Sequence, residues 1–190
     1  MPELEAPQEV SVLWELLVET EAVKRLFLLR HAKSDWGEPG LADRDRPLSA
    51  RGRKGAPLVA AFMAENDLRP ALVLVSPALR ARQTLEYFSD AVSGARIEVE
   101  PDIYEAGVDD LLALLRRAPA EMGSILLVGH NPTMQDLVST LAAGGPGLDS
   151  ARAKLPTASL AVLDAEVDAW SDLGPGSATM THFVSPKTLG

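Results

Sequence analysis

Apolar residues along this chain come in two patterns, and the two alternate. Short unbroken runs, Leu26 to Leu29, Ala71 to Val75 and Ser124 to Val128, each end in polar or turn-forming residues. That length and closure predict buried strands. Between and after the runs, apolar residues recur every third or fourth position, as in Leu58, Val59, Phe62 and Met63 within 49–65, and Ala78, Ala81, Leu85, Phe88 and Val92 after Ser76-Pro77. Val108, Leu111, Leu112 and Leu115 form a third such stripe, and Met134, Leu137, Val138 and Leu141 a fourth. These predict helices with one buried face. Strand and helix in alternation predict one α/β domain, a mainly parallel central sheet flanked by helices on both faces. Strands are expected near 24–30, 71–76, 124–129, 158–164 and 178–184, the last two as an antiparallel pair, with Arg96 to Val99 as a short extra strand. Pro57 sits awkwardly inside the first helix. Ser76-Pro77 and Asn131-Pro132 read as helix starts, a capping side chain followed by a proline at the first helical position.

Residues 1–22 stand apart. Val10, Leu13, Trp14 and Leu17 repeat at helical spacing among glutamates, which predicts an N-terminal amphipathic helical extension before a domain over 23–190. Its stripe would dock on that domain or on a partner.

The 190 residues suit a single domain, and an apolar fraction of 46% is ample for its core. A net charge of −9 argues against nucleic acid or an anionic membrane as the main partner. With no cysteine, disulfides, thiolate catalysis and thiolate-bound zinc are excluded, and the three histidines lie too far apart for a metal-ligand spacing. No cofactor or metal is expected. No apolar run approaches the roughly 20 residues of a membrane helix, and the acidic first residues do not suit a targeting peptide. A cytoplasmic protein is expected.

The candidate chemistry lies where the strands end. The first closes in Arg30-His31, the second is followed by Arg80 in the opening turn of a helix, and the third closes in His130. In open α/β sheets, ligands sit beyond the carboxyl ends of the strands. Two guanidinium forks suit the oxygens of a phosphoryl group, and a neutral histidine nitrogen can attack phosphorus. The arginines should hold the His31 ring neutral. Each piece alone has a plain alternative: a strand ending in Arg-His is also what a surface edge looks like, and Asp43-Arg44-Asp45-Arg46 is ordinarily a self-paired solvated cluster. Its position after the Arg-His strand leaves Arg46 as a cation that could face the site. Gly52 and Gly55 with Lys54 lack the spacing of a phosphate-binding loop, and His182 reads as structural.

Leu-Leu-Arg-His-Ala at 28–32, Ser-Pro-Ala-Leu-Arg-Ala-Arg-Gln-Thr at 76–84, Tyr-Glu-Ala at 104–106 and Val-Gly-His-Asn-Pro-Thr at 128–133 resemble the histidine phosphatase superfamily. Arg46-Pro47-Leu48-Ser49, Arg51-Gly52 and the closing Phe183 to Lys187 resemble its SixA-type phosphohistidine phosphatases, from about residue 24 onwards. The resemblance implies a phosphoglycerate mutase-like fold and a metal-independent phosphatase with His31 as the phosphorylated nucleophile. It places Arg30, Arg80 and His130 as the phosphate pocket and Glu105 where many relatives carry a general acid; a surface carboxylate is the alternative for Glu105. Ala32 stands where the superfamily usually has glycine. The expected substrate is phosphohistidine on a protein. The alternatives are a small phosphate ester, or a phosphate-binding module without turnover.

Overall fold

A computed structural model describes residues 23–36 and 39–190. The helical extension expected over 1–22 lies outside the described residues. The strands are β1 Val23–Arg30, β2 Leu72–Val75, β3 Arg96–Val99, β4 Ser124–Gly129, β5 Ala142–Gly144, β6 Leu160–Glu166 and β7 Ala178–Val184. They form one seven-stranded sheet in the order β3-β2-β4-β1-β6-β7-β5. β3, β2, β4 and β1 run parallel, β6 is antiparallel to both β1 and β7, and β5 is parallel to β7. The sheet is therefore mainly parallel, with β6 reversed.

β1 lies inside the sheet, between β4 and β6, and helices cover both its faces, which is why Leu26 to Leu29 are all apolar. Leu26 and Leu28 pack with Leu111, Leu112, Leu115, Leu137 and Val138. These come from α3 (Val108–Arg116) and α4 (Thr133–Leu141). Phe27 and Leu29 face the other way, onto Val59, Met63, Ala81 and Phe88. This side is covered by α1 (Ala50–Glu65) and α2 (Leu79–Glu86). A short α5 (Leu148–Ala153) and a terminal turn of helix, α6 (Pro186–Leu189), complete the layers.

Several local expectations need correction. Leu58 is 40% exposed while Ala56 and Ala60 are buried, so the buried stripe of α1 is narrower and smaller-residued than its leucine suggests. Pro57 is accommodated without a break: the helix is continuous through it. α2 begins at Leu79, with Ala78 rather than Ser76 at its N-cap. α4 begins at Thr133, with Pro132 rather than Asn131 at that position. α2 also ends at Glu86, so Phe88 and Val92 are buried from turns beyond it. β5 carries no strand pattern of its own, being three small residues that follow α4 directly.

The topology brings the carboxyl ends of β1, β2 and β4 to one edge of the sheet. Because β6 is reversed, its amino end, with Thr157 to Ser159 before it, lies at the same edge.

Candidate active site

The floor of this edge is held by backbone. Arg30 pairs in register with Gly129, Arg30 N donates to Ser159 O at 3.0 Å, and His31 N donates to Gly129 O at 3.0 Å. His31 is thus fixed between β4 and the start of β6. Its ring Nδ1 lies 2.7 Å from Ala32 O. A carbonyl only accepts, so Nδ1 carries the proton and Nε2 keeps its lone pair. The rings of His31 and His130 sit 5.0 Å apart, tilted by 53°.

Both rings are held neutral. His31 is depressed to about 3, first by burial and then by His130, with smaller contributions from Arg80 and Arg30. The expected direction is right, but burial outweighs the arginines as its cause. His130 is depressed to about 4, again chiefly by burial and then by Arg80. Its Nε2 lies 2.7 Å from Ser76 Oγ, and Ser76 Oγ also accepts from Ala78 N at 3.3 Å. Ser76, which reads in the sequence as a helix cap, orients His130 instead.

The two arginines differ in their ties. Arg30 donates from Nη1 to Leu155 O at 2.7 Å, while its Nε is buried without a partner, as is His130 Nδ1. Buried polar nitrogens left unpaired at one sheet edge are what a bound oxyanion would satisfy. Arg80, with only 8% of its surface exposed, donates from Nη1 to Asp43 O at 2.6 Å and from Nη2 to Asp43 Oδ2 at 3.0 Å. Thr84 Oγ1 donates to Arg80 O at 2.6 Å and accepts from Ala32 N at 2.9 Å. That one hydroxyl ties α2 to the loop carrying His31.

Asp43 therefore sits at the centre of the rim. Its Oδ2 also accepts from Tyr104 Oη at 2.7 Å, and its Oδ1 from Arg46 Nη1 at 2.7 Å. Tyr104 first and then Arg46, with Arg80 adding to them, hold this carboxyl well below the usual range against the opposing effect of its partial burial. The Tyr104 ring stands edge-on to His130 at 5.6 Å, and its phenol is raised by burial and by Asp43.

The structure thus brings Arg30, His31, Arg80 and His130 to one place, the first two from the end of β1, Arg80 from the start of α2 and His130 from the end of β4. Arg46 does not reach this floor. It donates to Asp35 O at 2.8 Å and Ser34 Oγ at 3.0 Å, and stacks on Trp36 at 4.4 Å. Glu105 is exposed on the loop of Tyr104 and makes no side-chain hydrogen bond among the described residues. It lines an outer cleft of about 410 Å³ together with Asp102, Asp110 and Arg117. Asp43, Ser76, Thr84 and Tyr104 are site residues that pattern reading does not single out. Asp43 stands in the charged row just after the Arg-His strand, and Ser76, Thr84 and Tyr104 stand inside the motifs that carry the resemblance, but the pattern assigns none of them a role in the site.

Among the described residues, no cluster of histidine and carboxylate side chains could hold a metal ion. No helix among them is long and apolar enough to cross a membrane. The arrangement offers an unprotonated imidazole nitrogen beside two guanidiniums and a second histidine, a set suited to binding and attacking a phosphoryl group.

Known proteins resemble this chain in sequence and in fold. Residues 26–114 match the model of the histidine phosphatase superfamily, branch 1. An uncharacterised protein of Mycobacterium tuberculosis is 35% identical over 164 residues, covering 84% of this chain and 100% of the relative. The phosphohistidine phosphatase SixA of Escherichia coli is 32% identical over 123 residues, covering 63% of this chain and 75% of the relative. A solved structure of the protein histidine phosphatase SixA complexed with tungstate superposes with a TM-score of 0.68 at 28% identity, covering 87% of this chain and 99% of that one.

Proposed function

This chain belongs to the histidine phosphatase superfamily, among its SixA-like phosphatases, and from that premise we propose that it removes the phosphoryl group from phosphohistidine on a protein, through a phosphohistidine enzyme intermediate. The observation that carries the reading is the hydrogen bond from His31 Nδ1 to Ala32 O, which leaves Nε2 as the nucleophile in a ring that burial keeps neutral.

In this mechanism the phosphoryl oxygens lie against Arg30, Arg80 and His130. His31 Nε2 attacks phosphorus as the bond to the substrate nitrogen breaks, and the leaving imidazole takes up a proton. Water then attacks the phosphorus carried on His31, releasing inorganic phosphate and restoring the free ring. The charge that spreads over the phosphoryl oxygens meets fixed donors that need no reorganisation. An imidazole leaves more readily than an alkoxide, so an exposed Glu105 is tolerable: the reaction asks little of a general acid. Tungstate in the SixA structure is a tetrahedral oxyanion, the shape this pocket would receive here.

The outer cleft bears on the competing reading, a small phosphate ester. Its volume of about 410 Å³ lies within the range of small-molecule sites. Its lining carries Asp102, Glu105 and Asp110 against the single cation Arg117, which disfavours the acidic body of most small phosphate metabolites. The deciding experiment compares kcat/KM for a phosphohistidine-bearing protein with a panel of sugar phosphates and phosphoserine peptides. A sugar phosphate preferred by a large factor would overturn the assignment. Tight vanadate binding with no hydrolysis of any substrate would make the protein a binding module instead.

A further inference from the structure

A second recess opens beside the floor on the side of β6 and β7. It is small, about 80 Å³, and its lining includes Lys33, Arg51, Thr157, Ser185 and Lys187 but no carboxylate. In a protein of net charge −9, a recess lined by three cationic residues and no acidic one stands out. All three are exposed, and none is ion-paired among the described residues. Thr157 Oγ1 makes no hydrogen bond among those residues, and Ser185 Oγ has only a marginal 3.5 Å contact with Thr188.

The recess is built by two glycines. A Cβ at Gly52 would come within 2.1 Å of Lys33 O, and one at Gly55 within 3.1 Å of Pro186 Cγ. Their absent side chains let the 31–34 loop and the 185–187 turn close on α1 from two directions. Lys33 O is further held by Ser49 N at 2.9 Å and Ser49 Oγ at 3.0 Å. The glycine pair that fails as a phosphate-binding loop therefore has a packing role, and the cations that this packing gathers are Lys33, Arg51 and Lys187 rather than Lys54.

The recess also borders the nucleophile. Ala32, which lines it, is the residue whose carbonyl holds the His31 ring. Ala158, also in the lining, donates its N–H to Arg30 O and His31 O. A site of this volume is several times too small for a whole ligand, which needs roughly 300 Å³ or more. It can take one carboxylate-sized group of something already bound at the floor.

We propose that this recess is an anion subsite that receives a carboxylate flanking the phosphorylated residue of the protein substrate. The proposal rests on the phosphohistidine reading above. The acidic outer cleft on the far side of the floor, toward β3, adds a direction: an acidic flank is drawn to one side of the phosphoryl group and repelled from the other.

The test uses two phosphohistidine peptides that differ only in flanking Glu against Gln. The Glu peptide should be preferred by about tenfold in kcat/KM at low salt, chiefly through KM, since a few partly exposed charge contacts supply roughly that factor. The preference should shrink as salt rises. In the Arg51→Ala, Lys187→Ala double variant the ratio between the two peptides should fall toward one. In Lys54→Ala, an exposed cation on the same helix outside the recess, the ratio should hold. Equal rates for the two peptides in the wild-type protein would overturn the subsite. So would a loss of preference in Lys54→Ala as large as in the double variant, since the effect would then belong to diffuse charge. If neither peptide turns over while an aryl phosphate does, the phosphohistidine reading has failed separately; the proposal, which rests on it, falls with it. The recess itself is then examined by the same ratio between aryl phosphates with and without a carboxylate substituent.

Discussion

The floor and the rim of the site are built in different ways. The floor, Arg30, His31 and His130, hangs from strand ends whose backbone bonds fix it: His31 N on Gly129 O, Arg30 N on Ser159 O. The rim, Asp43 with Arg46 and Tyr104, hangs from side chains on loops, with Asp43 in a 3-10 turn that has no side-chain cap. Its bonds span 37 residues to Arg80 and 61 to Tyr104. Arg80 belongs to both, buried at the start of α2 yet held by Asp43. The difference teaches that the chemistry is placed by the sheet, while its charge balance is trimmed by loops.

The hardest way to break this comparison is at the floor. His31→Ala should abolish turnover, on the order of 10⁴-fold or more, and should leave no trappable phosphoenzyme; a rapid-quench experiment with labelled substrate checks both. A His31→Ala protein that still turned over at the wild-type rate would remove the floor from the mechanism. His130→Ala and Arg80→Ala should each lower kcat by about 10²–10³. Arg80→Lys should recover little of this, since one ammonium cannot hold two oxygens in a fork.

The rim should answer more softly. Asp43→Asn keeps one acceptor oxygen but removes the other and the charge, and should lower kcat/KM by about tenfold with a small change in thermal midpoint, because the Asp43 side chain is half exposed. Tyr104→Phe should produce a similar or smaller loss. If either rim variant cost as much as His130→Ala, the distinction between floor and rim would fail.

The smallest expected effect is on pH. An ordinary histidine is half protonated near 6.5, so a nucleophile of that kind would lose activity as pH falls through 6.5. His31 sits at about 3 and His130 at about 4, so their neutral forms persist well below neutrality. The free-enzyme profile of kcat/KM should show no histidine limb between pH 8 and 5. An inflection near 6.5 that stays in place when aryl phosphates of different acidity are compared would contradict this.

Much of this was legible in the chain. Leu26 to Leu29 closing in Arg30-His31 specify a strand and what hangs from its end, because strand geometry places the next residue with little freedom. The same holds for Ser124 to Gly129 and His130. The helix stripes at 111–115 and 134–141 are buried as their spacing implies. Helix starts were less legible: Ser76 and Asn131 have capping chemistry, but Ser76 bonds His130, and Asn131 Nδ2 bonds Gln135 Oε1 and Leu155 O. Each keeps a local partner, Ala78 N for Ser76 and Gln135 for Asn131, but adds a tertiary one that holds it away from the cap position.

By itself, then, the sequence determined the order of strands and helices apart from β5, α5 and α6, the two-sided burial of β1, and the delivery of two histidines and two arginines to element ends. These follow from local periodicity, which survives any arrangement of distant segments. Only the tertiary structure decided that burial, more than the arginines, neutralises His31, that Asp43 rather than Arg46 reaches Arg80, that Tyr104 rather than Glu105 turns to the floor, and that two glycines let Lys33, Arg51 and Lys187 gather. Each of those depends on groups far apart in the chain meeting within a few ångströms, and no local pattern encodes such a meeting.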